Sequence, residues 1–108
     1  MKKWYVSISE PAEHDLDSIY KHITESLLEP VIAWNQIERI REAIFKLDQM
    51  PERFPLYQEE PWLSLGIRRM NIDNYAVFYL IDDSSNSVSV VSVIYSRRNI
   101  PGVLNNQL

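Results

Sequence analysis

Residues 75–82 read YAVFYLID, and seven of these eight side chains are apolar. Successive side chains of a strand point to opposite faces, so an apolar run of this kind needs cover on both. This stretch is therefore a central strand. Its neighbours LGIRRMNI (65–72) and SVSVVSVIYS (87–96) are rich in β-branched residues and are joined to it by Asp73-Asn74 and DDSSN. Those connectors have turn chemistry, so the three runs form an antiparallel meander.

The first half has a different period. KWYVSI (3–8) alternates as a strand does. Ser9 is placed to cap a helix, with Pro11 in the first turn, where its missing N–H costs little. Ala12, Leu16, Ile19, Tyr20, Ile23 and Leu27 then fall on one helical stripe, with acids in the first turn complementing the dipole. After Pro30, Ala33, Ile37, Ile40, Ile44 and Leu47 make a second stripe over 31–49, with Glu42 and Lys46 spaced for an ion pair. The short break predicts a helical hairpin. MPERFPLYQEEP is a proline-rich loop, and the tail IPGVLNNQL has no clear period and is expected to fray or pack loosely. The order β-αα-βββ predicts an α+β fold with the helical hairpin on one face of an antiparallel sheet.

The 108 residues suit a single domain, 1–108. Two glycines leave no phosphate-cradling loop, and the absence of cysteine excludes disulfides and thiolate metal sites. No apolar run approaches the ~20 residues that span a bilayer, and the opening has no signal-peptide pattern. A cytoplasmic protein with no membrane partner is expected. The net charge of −4 argues against nucleic-acid binding by bulk attraction, although a local basic patch is compatible with it.

Such a patch has candidates. Arg68 and Arg69 lie inside one predicted strand, and Arg97 and Arg98 come just after another. Alternation sends one guanidinium of each pair to each face, so one from each pair can meet on the side away from the helices. The alternative is edge charge that keeps the sheet soluble or pairs with Asp82 and Asp83. Tyr75 and Tyr79 share a strand face and Tyr95 ends the neighbouring run; they are either polar handles beside the arginines or phenols closing a core. His14 and His22 are eight apart, the wrong spacing for zinc on a helix, and no metal or cofactor is expected. Trp4, Trp34 and Trp62 read as core or edge packing.

The element order, together with LGIRRMNIDNYAVFYLID, VVSVIYSRRN and the opening SEPAEHDLDSIYKHI, resembles the RelE/ParE superfamily of bacterial toxins over residues 3–100. The resemblance implies a toxin of a type II toxin-antitoxin system, silenced by a cognate antitoxin. RelE-like members cleave mRNA in the ribosome, whereas ParE-like members inhibit DNA gyrase. In the nucleolytic branch an arginine comes after the tyrosine of the central strand, where this chain has Ala76, and the preceding lysines are matched only by Arg69. A nuclease built here would use Arg69, Tyr95, Arg97 and Arg98, with Glu59 or Glu60 as base. The departures favour the ParE-like branch, with the RelE-like nuclease and a non-toxic interaction module of the same fold as the alternatives. On either reading Arg68, Arg69, Tyr79, Tyr95, Arg97 and Arg98 are the candidates for the toxic surface.

Overall fold

The computed structural model describes residues 2–107. Strand β1 (Tyr5–Ile8) leads into helices α1 (Glu10–Leu27) and α2 (Pro30–Phe45), then 3-10 turns at Lys46–Asp48 and Pro51–Arg53. A one-turn helix α3 (Trp62–Leu65) precedes strands β2 (Arg68–Ile72), β3 (Tyr75–Asp82) and β4 (Ser87–Tyr95), and helix α4 (Ile100–Gln107) closes the chain. The sheet order is β1-β4-β3-β2. The meander is antiparallel, as its turns require, with Arg68 opposite Tyr79 and Tyr75 opposite Tyr95. β1 lies parallel to β4, so the four-stranded sheet is mixed. Alternation within β1 carries no information about its direction; the long excursion through the hairpin sets it.

The local signals act as their chemistry dictates. Ser9 Oγ accepts the Ala12 N–H at 3.2 Å, and Glu10 and Glu13 occupy the first turn of α1. Leu28 ends that helix in the left-handed region at φ 54°. α2 buries Ala33, Ile37, Ile40 and Ile44 and stops at Phe45. Lys46 consequently lies in the 3-10 turn, and the ion pairs seen among the described residues, Asp17–Lys21, Arg39–Asp73 and Glu13–Arg41 among them, do not include Glu42–Lys46.

Two hydrophobic layers sandwich β3. On the hairpin side Leu16, Ile37, Ile40 and Ile44 meet Met70, Val77, Tyr79, Val88 and Val90. On the other, Ala76, Phe78 and Ile94 meet Tyr57, Trp62, Ile67, Ile100 and Leu104. Tyr57 sits 5.2 Å from Phe78, edge to face, a favourable aromatic geometry. Residues 100–107 of the tail are thus helical, with Ile100 and Leu104, four apart on α4, buried against the sheet; Leu108 lies outside the described residues. The proline-rich loop helps to cover the same side: Tyr57 N–H bonds the Ile67 carbonyl and Leu56 bridges to Arg68. Fully burying Phe78 contributes roughly 2–3 kcal/mol. Trp4 and Trp62 are buried as expected, whereas Trp34 is exposed on the hairpin.

No helix among the described residues is long and apolar enough to cross a membrane.

Candidate interaction surface

The four arginines part company. Arg68 shares the hairpin side of β2 with Met70 and donates Nη1 to the carbonyls of Glu52 (3.1 Å) and Phe54 (2.6 Å). Arg69 points the other way; its Nε donates to Asn71 Oδ1 at 2.9 Å and its guanidinium lies 5.8 Å from the centre of the Phe78 ring. Arg97 and Arg98 are exposed in the turn beyond β4, where Arg98 N–H bonds the Tyr95 carbonyl. The alternation expected for a strand is therefore obeyed by Arg68 and Arg69. Convergence is not. Arg69 stands opposite Phe78, three residues from Tyr75 and two strands from Tyr95, which separates the two pairs by roughly 15 Å. The face expected to be open is instead closed, over this region, by the Tyr57–Trp62 loop and α4.

The tyrosines divide in the same way. Tyr79 is fully buried and donates its hydroxyl to the Pro51 carbonyl at 2.6 Å, so it belongs to the hairpin-side core and not to the surface. Burial pushes its phenol up to about 12. Tyr75 and Tyr95 pack edge to face with ring centres 5.7 Å apart at the far end of the sheet. Burial, then Tyr95 and Asp73, raise the Tyr75 phenol above its ordinary value, so it stays neutral at physiological pH. Glu60, a candidate base in the sequence, accepts Ser64 N–H and Oγ–H at 2.9 and 2.7 Å, tied to the short α3.

Tyr75, Tyr95 and Arg98 line one cleft of about 560 Å³. Its other wall is α1, through Asp15, Ser18, Ile19 and His22, and its floor includes Val93 and Val103. Asp15 fastens that wall to the sheet: one carboxylate oxygen accepts Val93 N–H at 3.0 Å and Ser92 Oγ–H at 3.1 Å. A cation, an imidazole, two phenols and an apolar floor make a site for a polar or acidic group attached to an apolar one. Sequence reasoning found Tyr95 and Arg98 but assigned no role to Ser18 and His22. The signal that could have found them is that 15, 18, 19 and 22 lie on one α1 face beside the apolar stripe.

A second surface lies on the hairpin. Leu27, Leu28, Val31, Ile32 and Trp34 are all at least half exposed around the turn. Behind them a groove of about 390 Å³ runs between the helices, lined by Leu16, Tyr20, Trp34 and Ile37 with Glu13, Asp17, Glu38 and Arg41. Arg41 clasps both oxygens of Glu13 at 2.9 and 2.8 Å. That hydrogen-bonded guanidinium holds the Glu13 carboxyl below the usual carboxylate range.

Comparison with known proteins matches residues 6–100 to the ParE toxin of the type II toxin-antitoxin system parDE. The chain belongs to this toxin family. No curated protein matches it significantly. Among solved structures, it resembles one of the chromosomal ParDE system from P. aeruginosa, with 18% identity, a TM-score of 0.71, and coverage of 88% of this chain and 98% of that one. It also resembles one of the toxin-antitoxin complex RelBE2 from Mycobacterium tuberculosis, with 20% identity, a TM-score of 0.64, and coverage of 86% and 98%. A mutant E. coli toxin RelE in the free state gives 12% identity, a TM-score of 0.63, and coverage of 98% and 99%. At such identities these likenesses establish the fold that the ParE-family chain adopts, an α+β layer of four helices on a mixed sheet.

Proposed function

We propose that this toxin of the ParE family is held silent by a cognate antitoxin and, once released, arrests growth by binding DNA gyrase, not by cutting RNA. The observation that carries the choice of target is the dispersal of the chain's cations. Cleavage through a 2′-hydroxyl needs a base, an acid and stabilisation of the charged phosphorane within a few ångströms of one phosphate. Here Arg68 and Tyr79 are committed to backbone carbonyls, Arg69 lies over Phe78 on the opposite face, and Arg97 and Arg98 stand at a distant turn. A protein target needs no such convergence. The exposed Arg97-Arg98 turn and the rim of Tyr95 are the groups that grip it, since arginine and tyrosine are the side chains best suited to anchoring an interface.

The antitoxin reading draws on relatives whose structures are those of a ParDE system and of RelBE complexes. The apolar hairpin tip is the surface left for it. A contiguous exposed apolar patch marks an interaction site, and the acids beside the groove favour an amphipathic segment with basic flanks.

The test is expression of the chain with parallel readout of DNA topology and transcript integrity. Arrest with impaired supercoiling and intact transcripts is expected, with purified toxin inhibiting gyrase in vitro. The Arg97→Ala/Arg98→Ala protein should fold, bind antitoxin and fail to arrest growth at equal abundance. The competing reading, ribosome-dependent mRNA cleavage, rests on the cleft where Arg98, His22, Tyr75 and Tyr95 occur together. Cut transcripts with normal supercoiling would favour it.

A further inference from the structure

The two edge strands of the sheet are finished differently. β2 is covered by the proline-rich loop: Arg69 N–H bonds the Pro55 carbonyl at 3.0 Å, and Tyr57 N–H bonds the Ile67 carbonyl beside it. β1, the other edge, has no strand on its outer side among the described residues. Tyr5 and Ser9 direct their N–H groups inward, to the carbonyls of Asn86 and Val90. Peptide groups alternate along a strand, so those of Trp4, Val6 and Ile8 face the other way. Trp4 fits this phase, because its N–H bonds the Asp48 carbonyl, in the turn after α2, at 2.9 Å. Val6 and Ile8 remain as an outward-facing pair. Exposed edges are ordinarily blunted by proline, lysine or a bulge, and Tyr5–Ile8 carries none of these.

This edge is self-complementary, and its backbone chemistry selects one register. Antiparallel strands exchange both N–H and C=O between directly opposed residues at every second position. A two-fold axis that sets Val6 opposite Ile8 of a second copy makes that exchange twice, with Ser7 facing its own equivalent between them. Setting Val6 opposite Val6 fails. It places Trp4 opposite Ile8, and the Trp4 N–H is already taken by Asp48.

We propose that two copies of this chain pair antiparallel along β1, joining their sheets into one across a two-fold axis at Ser7. The ends of the strand carry the charge complementarity that favours a second copy. The exposed Lys2 and Lys3 precede β1, and the acidic first turn of α1 follows it, so the antiparallel arrangement brings the lysines of one copy to Glu10 of the other. Ser9 turns each chain away into its own α1 before it reaches the Lys46–Asp48 turn of its mate. Val6 and Ile8 are only partly buried against the hairpin-side core, and their equivalents extend that apolar layer across the seam. Tyr5, 80% exposed in the single chain, lies along the opposite face of the seam. The pairing is independent of the toxin's target and of its antitoxin.

Sedimentation equilibrium of the purified toxin, from micromolar to millimolar concentration, tests the pairing. A mass rising to twice the 12.8 kDa of the chain is expected, with exchange of the Val6 and Ile8 amides slowed at least tenfold in the dimer. Ser7→Lys and Ser7→Glu each set like charges face to face and should weaken the dimer about tenfold, whereas an equal mixture of the two variants restores it. The chain has no cysteine, so Ser7→Cys reports proximity by itself. Directly opposed residues of this kind lie ~4.5 Å apart, within disulfide reach, and mild oxidation should yield a covalent dimer. Ser26→Cys at the hairpin tip should yield none. Circular dichroism establishes that each variant is folded; where a charged variant is not, the cross-linking of Ser7→Cys decides. A mass of 12.8 kDa at every concentration overturns the proposal. A dimer that Ser7→Lys leaves intact also overturns it, as does one captured by Ser26→Cys and not by Ser7→Cys, which moves the contact to the exposed hairpin tip.

Discussion

Replacing Tyr79 by phenylalanine distinguishes a core residue from a surface one. The ring stays, so the packing against the hairpin is kept and no cavity opens. The loss is confined to the hydroxyl that donates to the Pro51 carbonyl at 2.6 Å in a fully buried setting. Leaving that carbonyl without its donor costs about 1–2 kcal/mol. With unfolding entropy near 2.1 cal/mol/K per residue, a chain of 108 residues has a total of roughly 0.23 kcal/mol/K, so ~1.5 kcal/mol lowers Tm by about 7 °C. Thermal unfolding monitored by circular dichroism measures the shift directly, and growth arrest on induction measures function at a temperature where the variant remains folded. The expected result is a marked loss of Tm with arrest retained. A Tm unchanged to within about 1 °C, together with lost arrest, would refute the reasoning, because Tyr79 would then be acting on a target and not in the core.

Leu28 sits 80% exposed with φ 54° at the end of α1, a conformation that favours glycine. Leu28→Gly should therefore raise stability by about 0.5–1 kcal/mol in denaturant titrations, while weakening antitoxin binding if the hairpin tip is its dock. Glu13 has its carboxyl lowered by Arg41, so the pair's contribution is present above the unfolded carboxyl value near 4.3 and is lost as pH falls through the lower folded value. Both side chains are substantially exposed, which screens the pair to a few tenths of a kcal/mol. Glu13→Gln should accordingly lower stability by that much at pH 7 and flatten the fall in stability between about pH 5 and pH 3, as read by urea unfolding across that range.

Much of this architecture was legible in the residues because its signals are local. Ser9 can cap only the helix that begins beside it, the stripes of α1 and α2 declare their buried sides, and a strand as apolar as 75–82 has to be covered twice. Local periodicity carries no information across the chain, however. It could not orient β1, whose direction comes from a long connection. Nor could it fold the aperiodic tail, which becomes helical by burying Ile100 and Leu104 on β-strands. The exposed hairpin tip is a further case: Leu27 completes the α1 stripe by spacing, yet it stands in solvent because the sheet does not reach that far along the helix.

The candidate site depended most on that distant information. Four arginines in two tandem pairs suggest a cluster, and alternation correctly assigns one of Arg68 and Arg69 to each face. Their separation from the second pair depends on register and strand order, which place Arg69 beside Phe78 and Arg98 beyond Tyr95. Tyr79 shares its face with Tyr75, as spacing requires, but only the packing of Pro51 above it determines that its hydroxyl is consumed in the core. The sequence by itself determined which segments are helices and strands and which sides they bury, since hydrophobic pattern and capping act over a few residues. Tertiary structure alone decided which polar groups remain available for a partner, because availability depends on what distant segments cover.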